Sequence, residues 1–254
     1  MDKKLKVMLV GETWIVRTME IKGADSFEMS SYGTGKEYLE KAIKKGGFEF
    51  LHMPCHCIDS QFPATAEDLR KLCDVLIISD VGANTFLLPV ETFLQSKKTP
   101  NKLQIIKQFV EEGGGLCMVG GYMSFMGIDG KGRYYRTPVE EVLPVSFLPC
   151  DDRQEHPEGI EVSVPGFEHP ILQDLPDRLT GILGYNRAEA KASAEVLLSY
   201  GTDPILAVGT YGKGRSAAYA TDCAPHWSSP EFSDSPAYCT LWKNIVRWLG
   251  GEDE

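Results

Sequence analysis

The chain has 254 residues, 43% of them apolar and 24% charged, and a formal net charge of −10. Those proportions are ordinary for a globular protein able to bury a large core. Acidity without a run of Lys or Arg argues against a nucleic-acid groove or a patch for an anionic membrane.

No stretch reaches the ~20 apolar residues of a membrane span. The first six residues carry charges without an apolar h-region, so no secretory leader is expected and the expected location is the cytoplasm. The seven cysteines are then expected as reduced thiols, an odd number that suits no closed disulfide framework.

Residues 6–10 form a short apolar strand that ends in the turn Gly11-Glu12-Thr13-Trp14. A long polar stretch follows. A helix is predicted over 36–45, stopped by Gly46-Gly47, and a strand over 48–53. Thr65-Ala66-Glu67-Asp68 resembles a capping box and opens a short helix. The continuous apolar run 74–79 suits a strand covered on both faces. Leu103, Ile105, Ile106, Phe109 and Val110 recur at helical spacing before Gly113-Gly114-Gly115, and 116–119 is the next buried strand.

The second half is less regular. Residues 155–170 read as an extended excursion rich in Pro and Gly. Strands are predicted over 195–199, 204–210 and 216–220, the last two joined by a hairpin turn at 211–215. An amphipathic helix over 238–249 closes the chain. Alternating strands and helices, with no linker or internal repeat, predict one α/β domain spanning 1–254, built on a parallel sheet with helices on both faces.

In an open α/β sheet, ligands bind beyond the carboxyl ends of the strands. Four predicted strand ends supply polar or glycine-rich loops: Glu12 and Trp14; Asp80, Gly82 and Asn84; Gly120, Gly121 and Tyr122; and Asp222, His226 and Trp227. In this set His226 is the candidate base, with Asp222 four residues earlier to orient it. Tyr122 is a candidate hydrogen-bond donor or ring platform. Glu12 and Asp80 are candidate acids or hydroxyl-binding groups, and Trp14 and Trp227 candidate ring faces. Gly82, Gly120 and Gly121 either offer backbone N–H groups to an oxyanion or satisfy tight turns.

The segment 115–125 (GLCMVGGYMSF), with Asp80-Val81-Gly82-Ala83-Asn84-Thr85, His169-Pro170-Ile171-Leu172, Gly212-Lys213-Gly214-Arg215 and residues 222–227 (DCAPHW), resembles the class I glutamine amidotransferase-like domain family. Within it the resemblance is to uncharacterised bacterial cytoplasmic proteins related to ThuA-like trehalose-utilisation proteins and to the β-galactosidase trimerisation domain. It implies a flavodoxin-like, doubly wound, mostly parallel sheet, with an antiparallel excursion in the second half. The family's working enzymes carry a Cys on the turn after the elbow strand. Here Gly121 or Tyr122 falls at that position, and Cys117 lies earlier, inside the strand, where burial keeps a thiol inert.

The acids and aromatic rings at these strand ends fit a reading as a site for a small, polar, sugar-like ligand, with or without catalysis by His226. It leaves open a non-catalytic binding or oligomerisation module, a homo-oligomer, and an amidotransferase with a displaced Cys. No cofactor is expected. His52, Cys55, His56 and Cys57 are dense in ligating atoms but lack a complementary pair at zinc spacing, so no metal is expected either. The loop 127–133 is Gly-rich without being a P-loop, and suits a mobile lid. Asp151, Asp152, Arg153 and Glu155 suit a solvated or structural role, with internal pairing or an oligomer interface as the alternatives.

Overall fold

The structure is a computed structural model and describes residues 4–252. The charged start at residues 1–3 lies outside the described residues, as do Asp253 and Glu254. Among those described, the strands are β1 (Lys6–Gly11), β2 (Thr13–Lys22), β3 (Asp25–Thr34), β4 (Glu49–Met53), β5 (Val75–Ser79), β6 (Gly115–Val119) and β7 (Val145–Phe147). Then come β8 (Arg153–Ser163), β9 (Arg178–Asn186), β10 (Ala188–Ala190), β11 (Glu195–Tyr200), β12 (Asp203–Tyr211) and β13 (Gly214–Tyr219).

Continuous apolar runs need cover on both faces, and the strands that carry them form the centre of the sheet. β5 and β6 are buried along their whole length. The seven-stranded sheet runs β11-β12-β13-β6-β5-β1-β4. Neighbours from β4 through β1, β5 and β6 to β13 pair in parallel, whereas β12 and β11 are antiparallel additions at the far edge. Numbered among themselves, the five parallel strands follow the order 2-1-3-4-5. This is the flavodoxin-like winding, whose switch point lies between the first and third strands. Here those strands are β1 and β5.

Helices cover the sheet where the sequence periodicity places them. Thr65 caps the helix Ala66–Leu72 by accepting the Asp68 N–H, and Asn101 caps Lys102–Glu111 in the same way. The closing helix Pro236–Leu249 buries Leu241, Trp242, Ile245 and Val246. β12 turns into β13 through Gly212-Lys213, with Gly212 at φ +59°. The excursion predicted over 155–170 contains most of β8, which pairs antiparallel with β9, a strand beyond its bounds.

The stretch after Trp14 is where structure and sequence reading part. In place of a polar loop, β2 and β3 form a ten-rung antiparallel hairpin. Its residues lie exposed on both faces, so the burial contrast that marks an ordinary strand is missing. The loop at 127–133 is also not a free lid. Asp152 accepts the N–H groups of Met126 and Gly127, Asp151 accepts that of Asp129, and the Gly132 carbonyl accepts that of Ala83.

Candidate functional site

The parallel strands β1, β5, β6 and β13 all end at the same edge, and after β1 and β5 the residue that leaves the strand turns through left-handed backbone. Glu12 follows β1 with φ +52°, and Asp80 follows β5 with φ +43°. Left-handed backbone in a non-glycine residue costs about 1–3 kcal/mol, and its occurrence on two adjacent strand ends marks a site held against strain. The Glu12 N–H donates to the Ser79 carbonyl at 3.1 Å, and its own carbonyl accepts the Gly35 N–H at 3.1 Å. Both sides of the turn are thus tied.

The side chains then meet over the switch point. Glu12, Trp14, Asp80, Tyr122, Asp222, Ala224, Pro225 and His226 line a cavity of about 230 Å³. Glu12 is only 2% exposed. Ser79 Oγ donates to Glu12 Oε1 at 2.5 Å, and the Cys223 thiol donates to the same oxygen at 3.7 Å. Burial pushes the Glu12 carboxyl well above its ordinary value, and the charges of Asp222 and then Asp80 push it further. Asp80 is also raised, first by burial and then by Asp222. Carboxyl groups crowded around one small cavity cannot all be ionised cheaply, and burial together with the neighbouring carboxylates favours the neutral form of Glu12.

His226 Nδ1 lies 3.2 Å from Asp222 Oδ2. The ring stacks on Trp227 at 5.0 Å and meets the Tyr122 ring edge-on at 4.2 Å. The Arg153 guanidinium sits 4.8 Å over the other ring contact of the set, Tyr122, while Asp151 holds Arg153 through a bidentate pair. His226 is therefore clamped between a carboxylate and two aromatic rings.

Several candidate residues stand elsewhere than the sequence suggested. Trp227 is 1% exposed, with its indole N–H donating to Glu155; it backs His226 and does not face the cavity. Asn84 is exposed on the helix Ala83–Leu87, and Gly82 is buried beneath the backbone of Lys131 and Gly132. Neither lines the cavity. The glycines after β6 offer no free oxyanion donors. The Gly120 N–H is taken by the carbonyls of Tyr219 and Thr221, and the Gly121 N–H by Asn186 Oδ1 at 2.8 Å. The next amides, of Tyr122 and Met123, point at the Asp80 carboxylate, which fills the place an external anion would take.

The turn after β6 carries no cysteine. Cys117 lies within β6, fully buried, and burial holds its thiol far above the usual range. Cys223, beside Glu12, is raised for the same reason. His52 Nε2 contacts the Gly11 carbonyl and the His56 ring contacts Tyr32, so these two histidines face different partners. Among the described residues, Glu12, Asp222 and Cys223 bring ligating atoms within 4.8 Å of one another.

Sequence reasoning missed Ser79, Ser124 and Asn186. Ser124 Oγ accepts the Asp80 N–H, and Asn186 holds Gly121 while donating to Asp152. Only the position of Ser79 at a strand end could have signalled it. A larger cavity, about 350 Å³ between Phe62, Pro63, Pro89 and Lys102, has mostly apolar walls and lacks a convergent acid–histidine group. The smaller one is the candidate site.

A family model described as "Putative glutamine amidotransferase" matches residues 6–251. The chain belongs to this glutamine amidotransferase-like family. A cytoplasmic protein of Salmonella typhimurium is 44% identical and superposes with a TM-score of 0.92, covering 96% of this chain and 99% of that one. Two more distant structures share the fold alone. A ThuA-like protein of Bacteroides uniformis is 16% identical, TM-score 0.55, over 96% of this chain and 91% of that chain. A β-galactosidase of Bacillus circulans is 16% identical, TM-score 0.53, over 84% of this chain and 26% of that chain. No curated protein matches the sequence. These matches agree with the flavodoxin-like frame described above.

Proposed function

We propose that the chain binds a small, neutral, hydroxyl-rich molecule in the cavity at the β1–β5 switch point and acts on it by proton transfer through His226. The observation that carries this reading is the convergence of Glu12, Asp80, Asp222 and His226 on one cavity, with two of the acids held in strained backbone. With its proton on Nδ1 facing Asp222, His226 keeps a lone pair on Nε2 and acts as the base. Protonated Glu12 donates a hydrogen bond to a substrate oxygen, and Asp80 and the Trp14 ring position the molecule. The family's thiolate chemistry is not part of this proposal, because Cys117 and Cys223 are both buried, strongly raised thiols. A cytoplasmic location is proposed on the strength of the Salmonella relative, which is described as a cytoplasmic protein.

One observation favours a second reading, a non-catalytic binding or assembly module. The Tyr122 and Met123 amides are already occupied by Asp80, so the turn offers nothing to a developing oxyanion. Thermal-shift measurements with sugars, sugar acids and amides, run on the wild type and on His226→Ala, separate the two. Neutral sugars are expected to raise the wild-type Tm by roughly 2–4 °C at saturating concentration. His226→Ala is expected to lose most of that shift. If no compound stabilises the wild type, the small-molecule reading falls. Binding retained in full by His226→Ala leaves the module reading.

A further inference from the structure

The β2–β3 hairpin leaves large apolar side chains uncovered on both of its faces. Its register puts Ile15, Met19 and Ile21 on one face and Trp14, Phe27 and Met29 on the other. All six are exposed, Ile15 to 69% and Ile21 to 71%. With Val16 and Tyr32 they present on the order of 800 Å² of side-chain surface, taking roughly 180 Å² per large side chain. The two strands contact chiefly each other. An isolated two-stranded hairpin is marginal in water, and an uncovered apolar surface of this size marks an interaction site.

We propose that the hairpin is a dimerisation arm that docks on a second copy of this chain, with one face against the partner's arm and the other against its body. A ribbon apolar on both faces needs cover on both. A two-fold axis supplies both covers in a single contact, because the same arm that reaches out also lies beside its symmetry mate. The size agrees as well: a standard interface buries roughly 800 Å² per partner. Charge permits the contact. The arm carries Arg17 and Lys22 against Glu20, Asp25 and Glu28, so it contributes only −1 to a chain of −10. Arg17 pairs with Glu28 at 3.4 Å and Lys22 with Glu20 at 3.0 Å, so two such arms meet with a net charge of only −1 each. The arm's root also encloses the cavity: Trp14 forms part of its wall, and Gly35, just past β3, lies against Glu12 Oε2. Docking the arm would hold that wall in place, although the dimer itself stands independently of any reaction there.

Light scattering of the full chain after size exclusion is expected to give twice the monomer mass; a monomer at concentrations up to roughly 0.1 mM overturns the proposal. The double variant Met19→Glu/Ile21→Glu is expected to weaken the dimer by at least roughly 100-fold while keeping the circular dichroism of the wild type. A dimer of unchanged strength in that variant removes the arm from the interface. Should the variant fail to fold, hydrogen exchange on the wild type decides. The amides of residues 14–33 are expected to exchange slowly in concentrated samples and much faster on dilution, and equal exchange at both concentrations refutes the arm.

Discussion

Glu12 occupies a position that disfavours its charge in three ways. It is buried, it faces Asp222 and Asp80, and its backbone is fixed by bonds to Ser79 and Gly35 so that the side chain cannot swing out. The Ser79 hydroxyl and the Cys223 thiol offset only part of this. The consequence for stability has a definite sign. The folded carboxyl is raised above the 4.5 of an ordinary Glu, so the unfolded chain releases its proton first. The stabilising contribution is complete below the unfolded value and is lost as pH rises through the folded one. Glu12→Gln, which mimics the neutral acid, is therefore expected to match the wild type near pH 4 and to exceed it by about 1–2 kcal/mol near pH 8. Urea denaturation of both proteins across that range checks this. A constant difference between them would mean that Glu12 is ionised in the fold. At this scale the sequence showed a good deal. The i, i+4 spacing of Asp222 and His226 was readable as a pair, and it is one. Asn186 was not readable, because it acts across the fold on residues far away in sequence and no local pattern announces such a bond; Ser79 offered only its place at a strand end.

The elements that position these residues depend on close backbone approach. Gly11 has φ +111°, and a Cβ there would lie 1.8 Å from the Ser79 carbonyl oxygen. This is the point where β1 presses against the end of β5, and it sets both the Glu12 turn and the bond from Glu12 N–H to Ser79. Gly11→Ala must push β1 and β5 apart or flip the turn, so it is expected to destabilise the fold by about 3–5 kcal/mol. Chemical denaturation reads the loss, and a change below about 1 kcal/mol would show that the turn adapts. The same elements explain where sequence reading works. β5 and β6 are covered on both faces and stand out as apolar runs, and the closing helix stands out by its period. β2 and β3 failed to stand out because neither face is buried by the chain itself. Trp14, Val16 and Thr18 alternate with Ile15, Arg17 and Met19, and apolar and polar residues occur in both sets. A period-2 signal needs one dry face to be seen, and this ribbon has none within a single copy.

At the scale of the whole molecule, the field and the cavity act in the same direction. The chain carries −10, and part of that acidity, from Asp80 and Asp222, gathers with Glu12 around the cavity at the sheet edge without a Lys or Arg in its lining. Arg153, the nearest guanidinium placed here, lies over the outer ring of Tyr122 and is committed to Asp151. An anionic ligand would have to approach through a negative potential and then replace water beside carboxyl groups, with no backbone N–H free on the β6 turn to receive it. A neutral polyol would meet the opposite conditions, its hydroxyls donating to Asp80 and accepting from Glu12 in the neutral form proposed above. Neutral sugars are therefore expected to bind at least roughly 10-fold more tightly than their phosphorylated or carboxylated counterparts, a difference of about 1.4 kcal/mol. Titration calorimetry at low and high salt measures it. Because the carboxyls are largely buried, salt is expected to narrow the gap only slightly, whereas a gap produced by the distant surface charge would collapse as ionic strength rises. Tighter binding of a sugar phosphate under either condition would contradict the proposed role of Asp80 as a hydroxyl acceptor.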